Sequence, residues 1–321
     1  MSSFSAVIPV YNSENSLREL TFRLKNALEI LSRDFEIIFV EDHGGDRSWQ
    51  VITELAAADE RVKGIRLSRN YGQHNAVLCG IRSARYEWVV TLDDDLQHPP
   101  EEIPRLFQKA REGYDVVYGT PRRMPHSFWR NLLSAFTKRA MARAMGARNI
   151  RDLSAFRFFR TDLRKAFAHF HSPGVLLDVL LSWGTTRFAS ITVEHAPRPA
   201  GRSNYTFLKL LNQTMLLLTG FSTAPLRLAS LVGFAFLFFG VGVFAYVLAT
   251  YFFSGTLPGF AFLTSIICLF SGAQLFALGI IGEYLARMFN RSMDRPVYVV
   301  SETAGEPQEE LRPDEREIFR R

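Results

Sequence analysis

Two uncharged apolar runs near the C-terminal end of the chain limit its possible folds more than any other feature. Residues 228–253 (LASLVGFAFLFFGVGVFAYVLATYFF) and 257–282 (LPGFAFLTSIICLFSGAQLFALGIIG) contain no Asp, Glu, Lys or Arg. Each exceeds the roughly 20 residues a helix needs to cross the hydrocarbon core of a bilayer. The central helix of a soluble domain is the alternative for one such run. Two in succession, joined by Ser-Gly-Thr, predict a transmembrane hairpin with both ends on one side. Arg227 precedes the first run and Arg287, Arg291 and Arg295 follow the second, while the connection is uncharged. The cytoplasmic bias of Lys and Arg then places both ends, and everything before the hairpin, in the cytoplasm.

What precedes the hairpin reads as a soluble domain. The 321 residues, 47% hydrophobic and 22% charged with a formal net charge of +6, suffice for one large domain plus an appendage. The opening MSSFSAVIPVYN has no basic stretch, long apolar run or cleavage site, so no signal peptide is expected. Cys79 and Cys268 lie far apart in unlike contexts, which argues against a disulfide framework or a zinc site. No nucleic-acid partner is expected.

Strand and helix patterns alternate through this domain. Strands are predicted at 4–12, 35–42, 62–70, 86–95 and 114–120. Helices are predicted at 13–34, 46–59, 72–84 and 100–112. Short apolar runs alternating with helices argue an α/β fold, a mostly parallel sheet with helices on both faces. Ligands of such folds gather at the carboxyl ends of the strands. Asn12 and Glu14, Glu41 and Asp42, Arg69 and Asn70, and Asp93 to Gln97 fall at four successive strand ends. The first turn, PVYNSEN, lacks glycine, so neither the dinucleotide fingerprint nor the P-loop is present.

The fourth strand ends in Asp93, Asp94 and Asp95 (EWVVTLDDDLQHPP). Adjacent carboxylates repel unless a cation joins them, and Mg²⁺ and Mn²⁺ prefer oxygen ligands shared with a substrate phosphate. If strand alternation continues, Asp93 and Asp95 point to one side and Asp94 to the other. A solvated acidic turn is the alternative.

The segments VIPVYNSE, VEDHGGD, LSRNYGQHNAVLCG, TLDDDLQHPPEEIP, RPAGRSNY and GIIGEYLARMFNRSMDRPVYVV, in that order before and after the apolar pair, carry a resemblance. Together they resemble the membrane-anchored polyprenyl-phosphate glycosyltransferases of the inverting GT-A superfamily. That group includes dolichol-phosphate mannose synthases and undecaprenyl-phosphate glucosyltransferases, and the chain looks most like the undecaprenyl-phosphate 4-deoxy-4-formamido-L-arabinose transferases. The resemblance spans about residues 4–300 and implies a GT-A, Rossmann-like domain. It further implies transfer of one sugar, with inversion, from a nucleotide-sugar (UDP-linked) to polyprenyl (undecaprenyl) phosphate. The product would be a lipid-linked sugar for cell-envelope glycan or lipopolysaccharide modification at the inner membrane.

Site residues follow from the resemblance. Pro9, Tyr11, Glu14, Asp42 and Asp93 match nucleotide-sugar contacts. Asp93, Asp95 and Gln97 match the Asp-x-Asp metal site for Mg²⁺ or Mn²⁺, with Asp93, Asp95 and Asp152 the candidate catalytic residues. Arg198, Arg202, Ser203 and Tyr205 match a loop that grips the acceptor phosphate; a basic loop touching lipid headgroups is the alternative. Asn204 stands where relatives commonly have lysine, and Ala155 where a proposed catalytic aspartate often stands. An ionised phosphate acceptor, with its second pKa near 6, needs positioning more than a base. The family also implies a homo-oligomer, a tetramer.

The expected division is a GT-A domain at 1–202, an interfacial amphipathic helix at 203–224, the hairpin at 225–290 and a cytoplasmic tail at 291–321. The tail SETAGEPQEELRPDEREIFRR is charged and reads as mobile. A processive polysaccharide synthase is the rival enzyme, but the chain lacks a Gln-x-x-Arg-Trp segment and further spans. A non-catalytic scaffold or flippase-type homologue needs no polar strand ends of this kind.

Overall fold

The computed structural model describes residues 2–121, 153–172, 176–194, 224–254, 259–293 and 295–305. Asp152, the loop bearing Arg198, Arg202, Ser203 and Tyr205, and all but the last residue of the expected interfacial helix at 203–224 lie outside them. Two compact units form, one of Met1–Ser203 with Pro296–Arg321 and one of Asn204–Arg295.

The first unit is built on an eight-stranded sheet of order β7-β5-β6-β4-β1-β2-β3-β8. Its strands are β1 (Phe4–Val10), β2 (Phe35–Glu41), β3 (Val62–Leu67), β4 (Trp88–Thr91), β5 (Val116–Pro121), β6 (Arg157–Arg160), β7 (Phe188–Val193) and β8 (Val300–Ala304). The block β4-β1-β2-β3 is parallel, as is the β5–β7 pair, while β6 and β8 run antiparallel to their neighbours. Among the described residues five α-helices pack with them: α1 (Leu17–Glu29), α2 (Ser48–Ala58), α3 (Gln73–Ser83), α4 (Ile103–Ala110) and α5 (Leu177–Gly184).

Strand alternation decides which helix covers which face. Phe4, Ala6, Ile8 and Val10 of β1 share a core with Leu17, Leu20, Leu24 and Leu28 of α1 and with residues of α2 and α4. The α1 residues recur at helical spacing, and burying each such leucine contributes about 1.5–3 kcal/mol. Val7 and Val40 point the other way, beneath α3. A side chain on Gly80 of α3 would collide with Val7, so this glycine sets the close approach of helix and sheet.

β4 ends at Thr91, two residues before the first aspartate, so Asp93 to Asp95 occupy a turn rather than a strand. The expectation that alternation sorts them into two sides therefore has no ladder to act on. The charged tail is a second correction: its first residues form β8, an edge strand on β3. Edge strands tolerate exposed charged residues, which is why this one does not look apolar in sequence.

The second unit contains α6 (Ala224–Ser254) and α7 (Phe260–Ser292). Both contain segments long and apolar enough to cross a membrane, Leu226–Phe253 and Leu269–Ser292, and these leave large apolar side chains such as Phe238, Phe244 and Leu275 exposed. Phe270 of α7 packs edge-on against Phe236 and stacked against Phe239 of α6, over Gly240.

Candidate active site

The loops after β1, β2, β3 and β4 are tied into a ring by hydrogen bonds, most of them from backbone amides to side chains. Between the first two, Asn12 Oδ1 accepts Gly45 N at 2.7 Å, Ser48 Oγ accepts Ser13 N at 2.9 Å and Asp46 Oδ2 accepts Glu14 N at 3.0 Å. Glu14 Oε2 in turn accepts Arg47 N at 2.9 Å. Between the second and third, Asp42 accepts Tyr71 N at 2.7 Å and Gly72 N at 2.8 Å, one on each oxygen. Gln73, opening α3, donates Nε2 to Asp93 Oδ1 at 2.5 Å. Asp94 closes the ring, accepting Tyr11 N at 3.1 Å. Each such bond is worth only about 0.5–1.5 kcal/mol, but a ring of them fixes four loops at once.

Strand order places this ring at a topological switch point. The chain runs from β1 outward through β2 and β3, then returns to place β4 on the opposite side of β1. Neighbouring connections leave in opposite directions there and open a crevice. The strained backbone gathers at the same end. Asn12, His43 and Leu96 have φ of 54°, 53° and 61°, a region that side chains other than Asn, Asp and His rarely adopt. Such strain costs about 1–3 kcal/mol a residue and clusters where loops serve a ligand. Gly72, with φ of 91°, adds a further bend, one that a side chain would strain.

Charge accumulates in this crevice. Asp93, Asp94 and Asp95 are all half-buried. Burial and the neighbouring Asp95 raise the Asp94 carboxyl above its ordinary range, against the pull of Ser13 and the Tyr11 amide. Burial raises Asp42 as well, despite its two amides. Tyr11 is 53% exposed and free to meet a planar ligand, while Pro9 lies buried within β1. Asp95 Oδ1 accepts Gln97 N at 3.1 Å, which holds the turn in shape.

A closed cluster lies beside the open one. Arg157 of β6 donates Nε and Nη2 to Asp178 of α5 at 2.6 and 3.0 Å, and Tyr118 of β5 donates its hydroxyl to Asp178 at 3.0 Å. Arg157 Nη1 reaches the Ala155 carbonyl at 3.2 Å, which also accepts Thr91 Oγ1 at 2.9 Å. Burial opposes the Arg157 charge, but Asp178, the Tyr118 oxygen and Asp93 outweigh it and raise the guanidinium pKa. Burial likewise pushes Asp178 up, and Arg157 more than reverses this, leaving its carboxyl below the usual range. His74 near the same pair is depressed by burial and by Arg157, which favours a neutral imidazole. Cys79 is buried, its thiol pushed up to about 12, so it stays protonated and unreactive.

The donor set suits a hard divalent cation only in part. Among the described residues no three His, Cys, Asp or Glu side chains converge into a complete metal site. Two half-buried carboxylates, Asp93 and Asp95, fit the sparse coordination by which Mg²⁺ or Mn²⁺ is shared with substrate phosphates. Asp94 is committed to the β1 loop.

Residues 5–171 match the family described as Glycosyl transferase family 2. The chain belongs to that family. An undecaprenyl-phosphate 4-deoxy-4-formamido-L-arabinose transferase of Proteus mirabilis is 39% identical over 317 residues, covering 95% of each chain. One of Shewanella sediminis is 38% identical, covering 93% of this chain and 91% of its own. Among solved structures, glucosyl-3-phosphoglycerate synthase from Mycobacterium tuberculosis with Mn²⁺ and UDP-glucose is 15% identical, with a TM-score of 0.47 over 68% of this chain and 77% of that one.

In this family 2 glycosyltransferase the structure brings Tyr11, Glu14, Asp42, Asp93 and Asp95 to one GT-A-like strand-end crevice. Sequence reading missed Gln73, Tyr118 and Asp178. One signal existed: Asp178 is a lone carboxylate in the apolar run LLDVLLSW, and a buried carboxylate requires a paired partner.

Proposed function

We propose that the protein moves a single sugar from a UDP-sugar to undecaprenyl phosphate at the cytoplasmic face of a membrane, with inversion. The observation that carries this reading is the ring of four strand-end loops around Asp93 and Asp95 in a family 2 chain that also holds two apolar helices. Relatives named for the same acceptor align with this chain over more than nine-tenths of both lengths.

In this reading the loops after β1 and β2 hold the nucleotide, with Tyr11 against the base and Glu14 and Asp42 fixing the loops around it. Asp93 and Asp95, supported by Gln97, hold Mg²⁺ or Mn²⁺, which when bound neutralises the diphosphate and improves it as a leaving group. Arg198, Arg202, Ser203 and Tyr205 grip the acceptor phosphate. A phosphate oxygen attacks the anomeric carbon, the bond to the diphosphate breaks, and the electron pair leaves with UDP. Because the acceptor is already ionised near neutral pH, Ala155 does not disable the reaction. Arg157 holds the Ala155 carbonyl and Asp152 keeps only an accessory part.

The strand order is consistent with both flanks on one side, and the Arg residues flanking the apolar helices are what favour the cytoplasmic side. β7 and β8 precede and follow the helical pair in sequence and belong to one sheet. In this reading two crossings that start and end on one sheet return to the same side.

Purified protein supplied with UDP-sugars should release UDP only when both a divalent cation and undecaprenyl phosphate are present. Release that needs no lipid phosphate would sink the acceptor assignment. The mass of the lipid product identifies the sugar.

A further inference from the structure

β8 does more than cover a sheet edge. Register sets Glu41 of β2 opposite Arg66 of β3, and Arg66 opposite Glu302 of β8. Residues directly opposite on neighbouring strands share a face, so a row of alternating charge crosses three strands. Arg66 Nε donates to Glu41 Oε2 at 3.2 Å, and Nη1 donates to Glu302 Oε1 at 2.9 Å. Trp49 Nε1 of α2 donates to the other Glu302 oxygen at 2.9 Å, and the Arg66 guanidinium lies 5.9 Å from the Trp49 ring centre.

The far end of the row touches the nucleotide loops. Glu41 Oε1 accepts Gly44 N, and the next amide, Gly45 N, is held by Asn12 of the β1 loop. A side chain at Gly44 would collide with Asn12 Oδ1, so the turn is closely seated. Glu41 is 1% exposed and depends on Arg66 for its counter-charge, whereas the Glu302 side chain is 52% exposed. A guanidinium shared between two carboxylates is held midway. With Glu302 neutral, Arg66 is free to turn wholly toward Glu41 and compete with Gly44 N for its oxygens.

We propose that Arg66 and Glu302 are positioning residues for the nucleotide, acting through Glu41 on the Gly44–Gly45 turn. The proposal rests on the nucleotide-sugar reading above. It makes a strand C-terminal to the apolar helices part of the donor pocket's support.

The test uses the full chain in lipid nanodiscs. Glu302→Gln keeps an acceptor for Trp49 but removes the charge that faces Arg66. Amide exchange at Gly44 and Gly45 should quicken, and the Kd for UDP with Mn²⁺ should rise about threefold to fivefold, as expected for a half-exposed ion pair. The undecaprenyl phosphate requirement should not move. Arg66→Met should raise the Kd further, and adding Glu302→Gln to it should change little, because Glu302 acts through Arg66. Unchanged exchange at Gly44 and Gly45 in Glu302→Gln overturns the proposal. So does faster exchange spread evenly over α1 and α4, or an equal rise in the nucleotide and lipid requirements. A wild-type chain that binds no UDP defeats the functional reading alone, since the exchange readout still decides the positioning role.

Discussion

The turn after β4 and the cluster around Arg157 hold their charges in opposite ways. In the turn, Asp93, Asp94 and Asp95 crowd like charges together in a half-buried crevice. In the cluster, the Arg157 charge is matched by Asp178 and its other contact goes to the Ala155 carbonyl. The same contrast recurs lower in the sheet, where buried Lys63 and Glu36 pair at 2.5 Å and the second Glu36 oxygen accepts Ser5 Oγ and Arg85 N. Closed pairs give shape to the protein. The triad instead gathers three carboxylates at the strand ends, and that is where chemistry is expected.

The largest effect should come from opening the closed pair. Asp178→Asn leaves a buried guanidinium uncompensated and should cost about 3–5 kcal/mol in denaturant unfolding. Replacing both partners, as Arg157→Met with Asp178→Leu, should recover most of that loss. If the double variant is no more stable than the single one, the pair is not a self-contained unit. The acid dependence has a definite sign. The Asp178 pKa is lowered in the fold, so its contribution is fully present above the usual carboxylate pKa of about 3.9 and is lost as pH falls below it.

Emptying the open cluster should do the reverse. Asp95→Ala should lower transfer by about a hundredfold to a thousandfold, on the scale of lost electrostatic stabilisation at a reacting centre, yet lower the melting temperature far less than Asp178→Asn does. A large fall in stability with transfer retained would make the triad a structural feature. Ala155→Asp probes the boundary between the clusters. It should give less than about a threefold rate gain at neutral pH, because the acceptor phosphate is already ionised. A large acceleration, with a new acid limb in the pH–rate profile, would show that a base is missing from this chain.

The smallest effect is expected at Asp94. Its raised pKa means that the folded state holds the proton more tightly, so stability falls as pH rises from the usual carboxylate range through the folded value. Asp94→Asn removes that penalty. Its gain in melting temperature should be largest near neutral pH and vanish below about pH 4. A gain that persists in acid would point to packing rather than charge.

How much was legible depends on whether the signal was local. The first five strands and four helices follow from periodicity, and α1 shows why: Leu17, Leu20, Leu24 and Leu28 mark one face whatever they pack against. The end of β4 was misplaced because its ladder stops where its antiparallel partner, the four-residue β6, stops. Nothing within TLDDD records that. β8 was missed because an edge strand needs no apolar pattern, and its partners Arg66 and Trp49 lie far back in the chain.

By itself, then, the sequence determined the order of the first five strands and four helices, the polar residues at four strand ends and the two apolar helices. Periodicity and polarity are properties of neighbours along the chain. Only the tertiary structure decided that Asp42 holds the third loop, that Gln73 meets Asp93, and that Asp94 turns away to the first loop. Those contacts depend on the strand order β4-β1-β2-β3, in which the chain reverses direction across the sheet. A reversal of that kind brings distant residues together, and no local pattern encodes which ones.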